Sequence, residues 1–306
     1  MRTREQGVEP YINLSEITEI ELLILKRMRE LTMGEHRSHV HGSGFDFVGL
    51  RDWQAGDRFS SIDWAQSTLN NFSPLVVREF EQPSNATVVV VADGSLSTRC
   101  GTGGMPIAAI IARAIATIGM SAVFFQDRFG LITFNSEFSE LAAVPARIGK
   151  NQVIHCLDAY QQQRGLQQVP QAGSISRSLA GLMRKMSLIP IVSDFLFDNP
   201  REVILELSRL NSVHDVFLVL IDSGFAFDLP SVSAGWVEAF DVETGRSRLM
   251  SRDAFGKLAQ RARDWQDEIE RIAKNFDLDL LRLGMDELQS AVALTEFVAE
   301  RRLRKT

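Results

Sequence analysis

Hydrophobic and polar positions follow one another along most of the chain in blocks that predict strands and helices in turn. The predicted strands cover residues 86–92, 121–125, 129–134, 138–144, 188–192, 214–222 and 278–283. The predicted helices cover residues 104–119, 150–162, 174–186, 199–210 and 252–275, with a closing helix from 286. Strands that alternate with helices predict an α/β fold, a doubly wound and mostly parallel sheet flanked by helices.

The first part of the chain has a different rhythm. Residues 17–32 show the spacing of an amphipathic helix, whereas residues 36–82 are interrupted by glycine and proline and predict short strands and turns. We therefore predict two domains. Residues 1–83 form an N-terminal helix with a short-strand segment, and residues 84–306 form the α/β domain.

Composition and charge change this picture little. The chain has 306 residues, of which 45% are hydrophobic and 24% charged, as in ordinary globular proteins. Its formal charge of −6 argues against a nucleic-acid partner. The basic residues 301–305 are interpreted as a solvated helix end.

The compartment is predicted from cysteines and apolar runs. Two cysteines, Cys100 and Cys156, favour a reducing compartment over a disulfide framework. The longest apolar stretch, residues 107–125, is interrupted by Arg113 and is typical of buried structure, and no signal peptide is predicted. We expect a cytoplasmic protein without membrane insertion.

Polar oxygen atoms follow two of the apolar strands at the point where each ends. Asp93, Ser95 and Ser97 follow one strand, Asp194 follows another, and Ser174 begins a helical stretch between them. Ligands in open α/β sheets bind beyond the carboxyl ends of the strands. Carboxylates and hydroxyls form a hard ligand set suited to Mg²⁺, with Mn²⁺ and Ca²⁺ as alternatives. The alternative without metal is turn chemistry around Asp93 and helix capping by Ser174.

This arrangement resembles the metal-ion-dependent adhesion site of von Willebrand factor A domains. In that family a D-x-S-x-S loop follows the first strand, and Asp93, Ser95 and Ser97 match it. A later strand ends in an aspartate, which Asp194 matches. A second loop supplies a threonine, and the resemblance assigns this place to Ser174. It implies that a partner's acidic side chain completes the coordination of a bound divalent ion.

A second resemblance covers roughly residues 35–245. The segment GSGFDFVGLRDWQAGDRFSSIDW, with Arg51, Asp57, Asp63 and Trp64, is similar to the signature of the bacterial "domain of unknown function 58" proteins, as are VREFE, DRFGLITF and HDVFLVLIDSGFAFDLP. The family implies a von Willebrand factor A-like domain and a MoxR-type AAA+ ATPase, or its client, as partner. We expect Arg51, Asp57 and Asp63 to form a buried polar network that joins this segment to the main sheet, with a docking surface as the alternative. Trp53 and Trp64 are expected to be packing residues.

Three hypotheses for function remain open. The first is a non-enzymatic interaction module that binds a partner's acidic residue through the metal. The second is a metal-free scaffold in which the loop only shapes the fold. The third is a Mg²⁺-dependent phosphatase-like enzyme with Asp93 as nucleophile. That enzyme would need a second carboxylate two residues on, where the chain has the weakly acidic hydroxyl of Ser95.

Overall fold

The computed structural model describes residues 10–34, 46–54, 57, 59, 62–69, 72–81, 86–102, 105–135, 138, 140–170, 172–183, 185–224, 236–241 and 246–304. The described residues fall into two compact units. One contains the residues up to Met28 together with those from Ala86 onward, and the second contains the residues between Arg29 and Asn85.

The helices of the described residues are α1 (Leu14–Gly34), α2 (Trp64–Leu69), α3 (Ile107–Phe124), α4 (Lys150–Gln162), α5 (Ile175–Ala180), α6 (Pro200–Asn211), α7 (Arg252–Asn275) and α8 (Glu287–Arg304). The strands are β1 (Asp46–Asp52), β2 (Val76–Glu81), β3 (Thr87–Asp93), β4 (Gly101–Thr102), β5 (Met105–Pro106), β6 (Arg128–Phe134), β7 (Leu141–Ile148), β8 (Gln167–Gln168), β9 (Leu188–Ser193), β10 (Asp215–Ile221), β11 (Trp236–Asp241), β12 (Arg246–Ser251) and β13 (Leu280–Leu283).

Seven strands form the central sheet in the order β13-β10-β9-β3-β6-β7-β8. The five strands from β13 to β6 are parallel, and β7 and β8 extend the sheet in antiparallel fashion. Helices cover both faces, so the predicted α/β fold with a mostly parallel, helix-flanked sheet is confirmed. β6 with β7, and β11 with β12, form antiparallel hairpins.

The continuous apolar runs form central strands because both faces of the sheet are buried. All residues of β9 and β10 are buried, and so are the last six of β3. One apolar cluster lies on the face covered by α1, α3, α4 and α8. The other lies on the face covered by α5, α6 and α7.

Several predicted boundaries are wrong, among them the strand predicted at 138–144, which spans Leu141–Ile148. Residues 121–124 do not form a strand, because α3 continues to Phe124 and the Ser121 hydroxyl donates back to the Thr117 carbonyl within the helix. Helix α5 ends at Ala180, well short of the predicted residue 186. By length and composition α3 could cross a membrane, but 83% of it is buried inside the protein, as in the core helix of a globular domain.

The N-terminal helix α1 packs on the sheet unit through its first two-thirds. Asn13 and Glu16 form a reciprocal capping box at its start, with N–H to carboxylate and N–H to amide contacts of 2.7 and 2.9 Å. Ile17, Ile24 and Met28 are buried in the cluster shared with α3, α4 and α8. The helix thus completes the cover of one face of the sheet.

The second unit contains the β1–β2 hairpin and α2. Arg51 and Asp57 form a two-pronged ion pair with both contacts at 2.7 Å, which lowers the pKa of Asp57 to about 2. Asp63 accepts the Gln66 N–H at 3.1 Å at the start of α2. Trp53 stacks on Phe59, but Trp64 is 55% exposed, so its predicted packing role is wrong. Gly44 and Gly56 of the signature segment lie outside the described residues.

Arg301 and Arg302 of α8 are not solvated, contrary to the sequence interpretation. Arg301 pairs with Asp215 and Asp279, and its guanidinium lies 5.0 Å from the ring centre of Phe217. Arg302 pairs with Asp127 at 2.8 Å. Asp127 and Asp215 stand at the amino ends of β6 and β10, so α8 is clamped to that edge of the sheet.

Candidate functional site

The topology of the sheet singles out the carboxyl ends of β3 and β9. These two strands are neighbours, but the chain continues from β3 to β6 on one side and from β9 to β10 on the other. Such a switch point leaves a crevice between the outgoing connections, and ligands of open α/β sheets bind there. Asp93 ends β3 and Asp194 directly follows β9. The two predicted carboxylates therefore flank the crevice.

Asp93 is 3% exposed and is held by neutral hydrogen-bond donors. The Ser193 hydroxyl donates to Oδ2 at 2.6 Å, and the Ser95 N–H donates to Oδ1 at 2.9 Å. The Tyr160 hydroxyl, from α4, donates to the Asp93 carbonyl at 2.8 Å. The carboxylate is thus fixed in place without a positive partner in the part of the chain that the structure describes.

The loop after Asp93 turns its hydroxyls toward one another. Ser95 and Ser97 Oγ are hydrogen-bonded at 2.9 Å, and the buried Thr98 hydroxyl donates to the Ser95 carbonyl at 2.7 Å. Residues Leu96–Arg99 form one turn of 3-10 helix. The predicted Asp93, Ser95 and Ser97 therefore form one connected cluster.

Asp194 belongs to the same cluster through its neighbour Ser193. It is 3% exposed, and its Oδ1 accepts the Leu196 N–H at 3.2 Å. Phe195 follows with a φ of 54°, a region that residues other than glycine rarely adopt, and its N–H is held by the Ser193 hydroxyl at 2.9 Å. Phe195 and Phe197 then lie buried beside Phe138, which fixes the loop.

The environment of the site is unfavourable for two carboxylates that are both ionised. Burial and then the neighbouring Asp93 charge raise the pKa of Asp194 to about 7. Burial also raises the pKa of Asp93, against the opposing effect of the hydrogen bonds from Ser193 and Ser95. Burial of charge without a partner is costly, so a cation at this position would relieve both groups.

Ser174 lies in a different arrangement. Its hydroxyl caps α5 by accepting the Arg177 N–H at 3.3 Å, and it lies 3.3 Å from the Ser176 hydroxyl. Ser176 in turn donates to Glu206 at 2.7 Å. Within the described residues Ser174 has no hydrogen bond to the Asp93 cluster, and its role as a ligand stays a prediction.

The donor set fits a hard divalent ion that keeps several waters. Two carboxylates and the hydroxyls of Ser95 and Ser97 gather at the crevice. In the described part of the chain, no three His, Cys, Asp or Glu side chains come close enough to hold a metal. An ion bound here would therefore depend on hydroxyls and water for most of its shell, as Mg²⁺ readily does.

Sequence reasoning missed three residues that position the site. Ser193 bridges both aspartate segments, Tyr160 anchors Asp93 from one face, and the fully buried Gln266 anchors Asp194 from the other. The Gln266 amide donates to the Asp194 and Ile221 carbonyls at 3.3 and 2.8 Å. A polar residue in the apolar stripe of α7 was the available signal for Gln266.

Solved structures give distant similarities. The chain is similar to BatB from Bacteroides thetaiotaomicron at 11% identity and a TM-score of 0.41, over 71% of this chain and 100% of that one. An aerotolerance-related membrane protein from Bacteroides fragilis matches over the same shares, at 12% identity and a TM-score of 0.43.

Sequence comparisons are more specific. Uncharacterized proteins of Mycobacterium tuberculosis and Mycobacterium bovis are 26% identical over 301 residues, which is 92% of this chain and 88% of theirs. The family described as "Protein of unknown function DUF58" matches residues 49–269, well over half of the chain. The match includes Asp93, Ser95, Ser97, Ser174 and Asp194, and the chain belongs to the DUF58 family.

Proposed function

We propose that this protein is a non-enzymatic interaction module that binds a divalent cation, Mg²⁺ in the first place, between Asp93 and Asp194. The open side of the ion then binds an acidic side chain of a partner protein. Ser95 and Ser97 contribute hydroxyls, and Ser174 is the proposed contribution of a third loop.

The observation that carries this proposal is the charge of the crevice. Asp93 and Asp194 are both buried and close enough for one charge to raise the pKa of the other. Among the described residues neither has a positive partner. A buried carboxylate pair at a topological switch point has the position and the charge of a cation site.

The finer assignment of the fold belongs to the same proposal. We assign the α/β unit to the von Willebrand factor A type because the D-x-S-x-S loop follows the central strand β3 and the second aspartate follows its neighbour β9. The resemblance also supplies the proposed partner, a MoxR-type AAA+ ATPase or its client.

One observation favours the metal-free scaffold as a second candidate. Both oxygens of Asp93 already accept hydrogen bonds, from Ser193 and Ser95, and Ser95 is bonded to Ser97. This network closes the turn without an ion. Under the scaffold hypothesis the partner would bind in the same way with and without metal.

Calorimetry separates the two candidates. Mg²⁺ and Mn²⁺ are titrated into the full chain and into Asp93→Asn and Asp194→Asn. The matched control is Asp198→Asn, since Asp198 is an exposed carboxylate on the same loop. We expect one saturable site in the chain and in the control, and loss of binding in both site variants.

Capture of a purified MoxR-type ATPase, with and without chelator, then tests the role of the ion. Metal-dependent capture supports the interaction module, and capture that is indifferent to chelator supports the scaffold. Hydrolysis of a generic phosphate ester that stops in Asp93→Asn would contradict both candidates and favour the enzyme.

A further inference from the structure

Two stretches of the chain around the crevice carry arginine and no acidic residue. Residues 94–106 and 161–182 contain Arg99, Arg164 and Arg177 but no Asp or Glu. In the whole chain, Asp and Glu outnumber Lys and Arg by 39 to 33. These two stretches therefore have a net positive charge, whereas the whole chain has a net negative charge.

The backbone of Arg99 is held close to the cluster. It ends the 3-10 turn that carries Ser97, and that turn is held by the Thr98 hydroxyl and by the Cys100 N–H, which donates to the Ser97 carbonyl at 3.0 Å. The turn also presents Leu96, which is 50% exposed. A guanidinium group and an apolar side chain thus lie on the loop that carries the predicted metal ligands.

Arg164 follows the end of α4, next to a residue that contacts the Asp93 loop. Gln163, which precedes it, ends α4 in a left-handed conformation with φ 51°, and its amide donates to the Tyr160 carbonyl at 2.9 Å. The Gln163 nitrogen lies only 3.2 Å from where a Cβ on Gly94 would stand. Arg164 therefore follows a residue that touches the Asp93 loop.

Both side chains are free to bind a partner. Arg99 and Arg164 are exposed, and within the described residues neither forms an ion pair. The acidic residues at this edge belong to other elements: Glu140 precedes β7, Asp198 and Glu202 follow β9, and Asp286 and Glu287 follow β13. Glu206 of α6 accepts the Ser176 hydroxyl and is paired with Arg209. Asp222 is paired with Arg282 at 3.3 Å. The positive side of the crevice is thus the side of Arg99 and Arg164.

We propose that the partner segment is acidic over several successive residues and not at one position alone. One carboxylate binds the cation, and neighbouring carboxylates bind Arg99 and Arg164, with Leu96 contacting an apolar residue of the same segment. This inference rests on the proposed function for its first contact, and the two arginine contacts add to it. Guanidinium groups bind carboxylates with charge-assisted hydrogen bonds, which explains the choice of partner chemistry.

The test uses two peptides, hexa-aspartate and a hexapeptide with one aspartate among five asparagines, at a salt concentration of about 0.15 M, where screening limits long-range effects to about 8 Å. Binding to the full chain is measured with Mg²⁺ and again with chelator. We expect hexa-aspartate to bind more tightly than the single-aspartate peptide. In Arg99→Glu/Arg164→Glu the hexa-aspartate affinity should fall about tenfold or more under both conditions.

The matched control is Arg147→Glu/Lys185→Glu, which makes the same change of net charge at exposed residues of the opposite edge of the sheet. Its affinity for hexa-aspartate should stay within about twofold of the unchanged chain. The milder pair Arg99→Gln/Arg164→Gln repeats the test if charge reversal disturbs folding.

Equal losses in the control and in the arginine pair would overturn the inference, and so would absent binding of hexa-aspartate to the unchanged chain. If chelator leaves the affinity unchanged while the arginine pair still loses it, the proposed metal function fails and the arginine contacts stand.

Discussion

The central sheet has an amino edge and a carboxyl edge, where its parallel strands begin and end, and these two edges bury aspartates in opposite ways. At the amino edge, the buried Asp127 is paired with Arg302 and the buried Asp215 with Arg301. At the carboxyl edge, Asp93 and Asp194 are equally buried but have only neutral donors among the described residues. The buried aspartates at the amino edge have a positive partner within the chain, and those at the carboxyl edge have none among the described residues.

Under the proposed function, this difference distinguishes a structural role from a functional one. A paired carboxylate needs nothing further, and its arginine fastens α8 to the sheet. An unpaired carboxylate in a buried position favours either a proton or an external cation. The raised pKa values at the carboxyl edge are consistent with that need.

The largest effect should come from removing the positive partner of a buried aspartate at the amino edge. Arg302→Met leaves Asp127 buried and unpaired, which typically costs about 3–5 kcal/mol in the free energy of unfolding. Urea denaturation in chelator checks this value. Asp194→Asn at the other edge should cost far less or even stabilise, and Arg147→Met, at an exposed site, should stay within about 0.5 kcal/mol. Similar losses of unfolding free energy in Arg302→Met and Asp194→Asn would contradict the difference between the two edges.

A smaller effect is expected in the pH dependence of stability. Asp194 has its pKa raised from 3.8 to about 7. The folded state therefore keeps a proton that the unfolded state has released, and stability is lost as pH rises through the pKa of the folded state. Between about pH 5 and pH 8 this loss is on the order of 1–3 kcal/mol in chelator.

The control is the same measurement of unfolding stability against pH in Asp194→Asn. His214 has its pKa lowered by burial and contributes with the opposite sign in this range, but it is common to both proteins. The difference between the two unfolding curves therefore reports Asp194 together with its coupling to Asp93. A slope that is unchanged in the variant would rule out Asp194 as its source.

The smallest effect concerns Ser174. Because Ser174 caps α5, Ser174→Ala should cost about 1 kcal/mol, whereas Ser174→Gly should cost only a few tenths. If Ser174 also binds the ion, as the resemblance predicts, Mg²⁺ affinity measured by calorimetry should fall several-fold in Ser174→Gly. An unchanged affinity would leave Ser174 with the cap alone.

Much of the fold could be predicted because its signals are local. Apolar runs such as Leu188–Ser193 and the helical spacing of Arg252–Asn275 identify their elements directly. Asp93 and Asp194 could be predicted to converge because both follow strands of one parallel sheet.

The remainder depended on contacts between distant residues. Ser193 bonds to Asp93 across 100 positions, and Arg302 pairs with Asp127 across 175. Neither contact has a local pattern, so the basic helix end looked solvated. The length of α3 was misjudged because its apolar end has a composition that also suits a strand.

The outer layer formed by α1, β13 and α8 has a practical consequence for fragments of this protein. The family match spans residues 49–269, so a fragment cut at those limits would lose α1, β13 and α8 and would end inside α7. Removal of β13 would leave β10 as an exposed strand edge, and such edges invite aggregation. Each buried side chain lost with α1, such as Ile24, would withdraw about 1.5–3 kcal/mol of apolar burial. Recombinant work on the switch-point crevice should therefore begin before Asn13 and include Arg302.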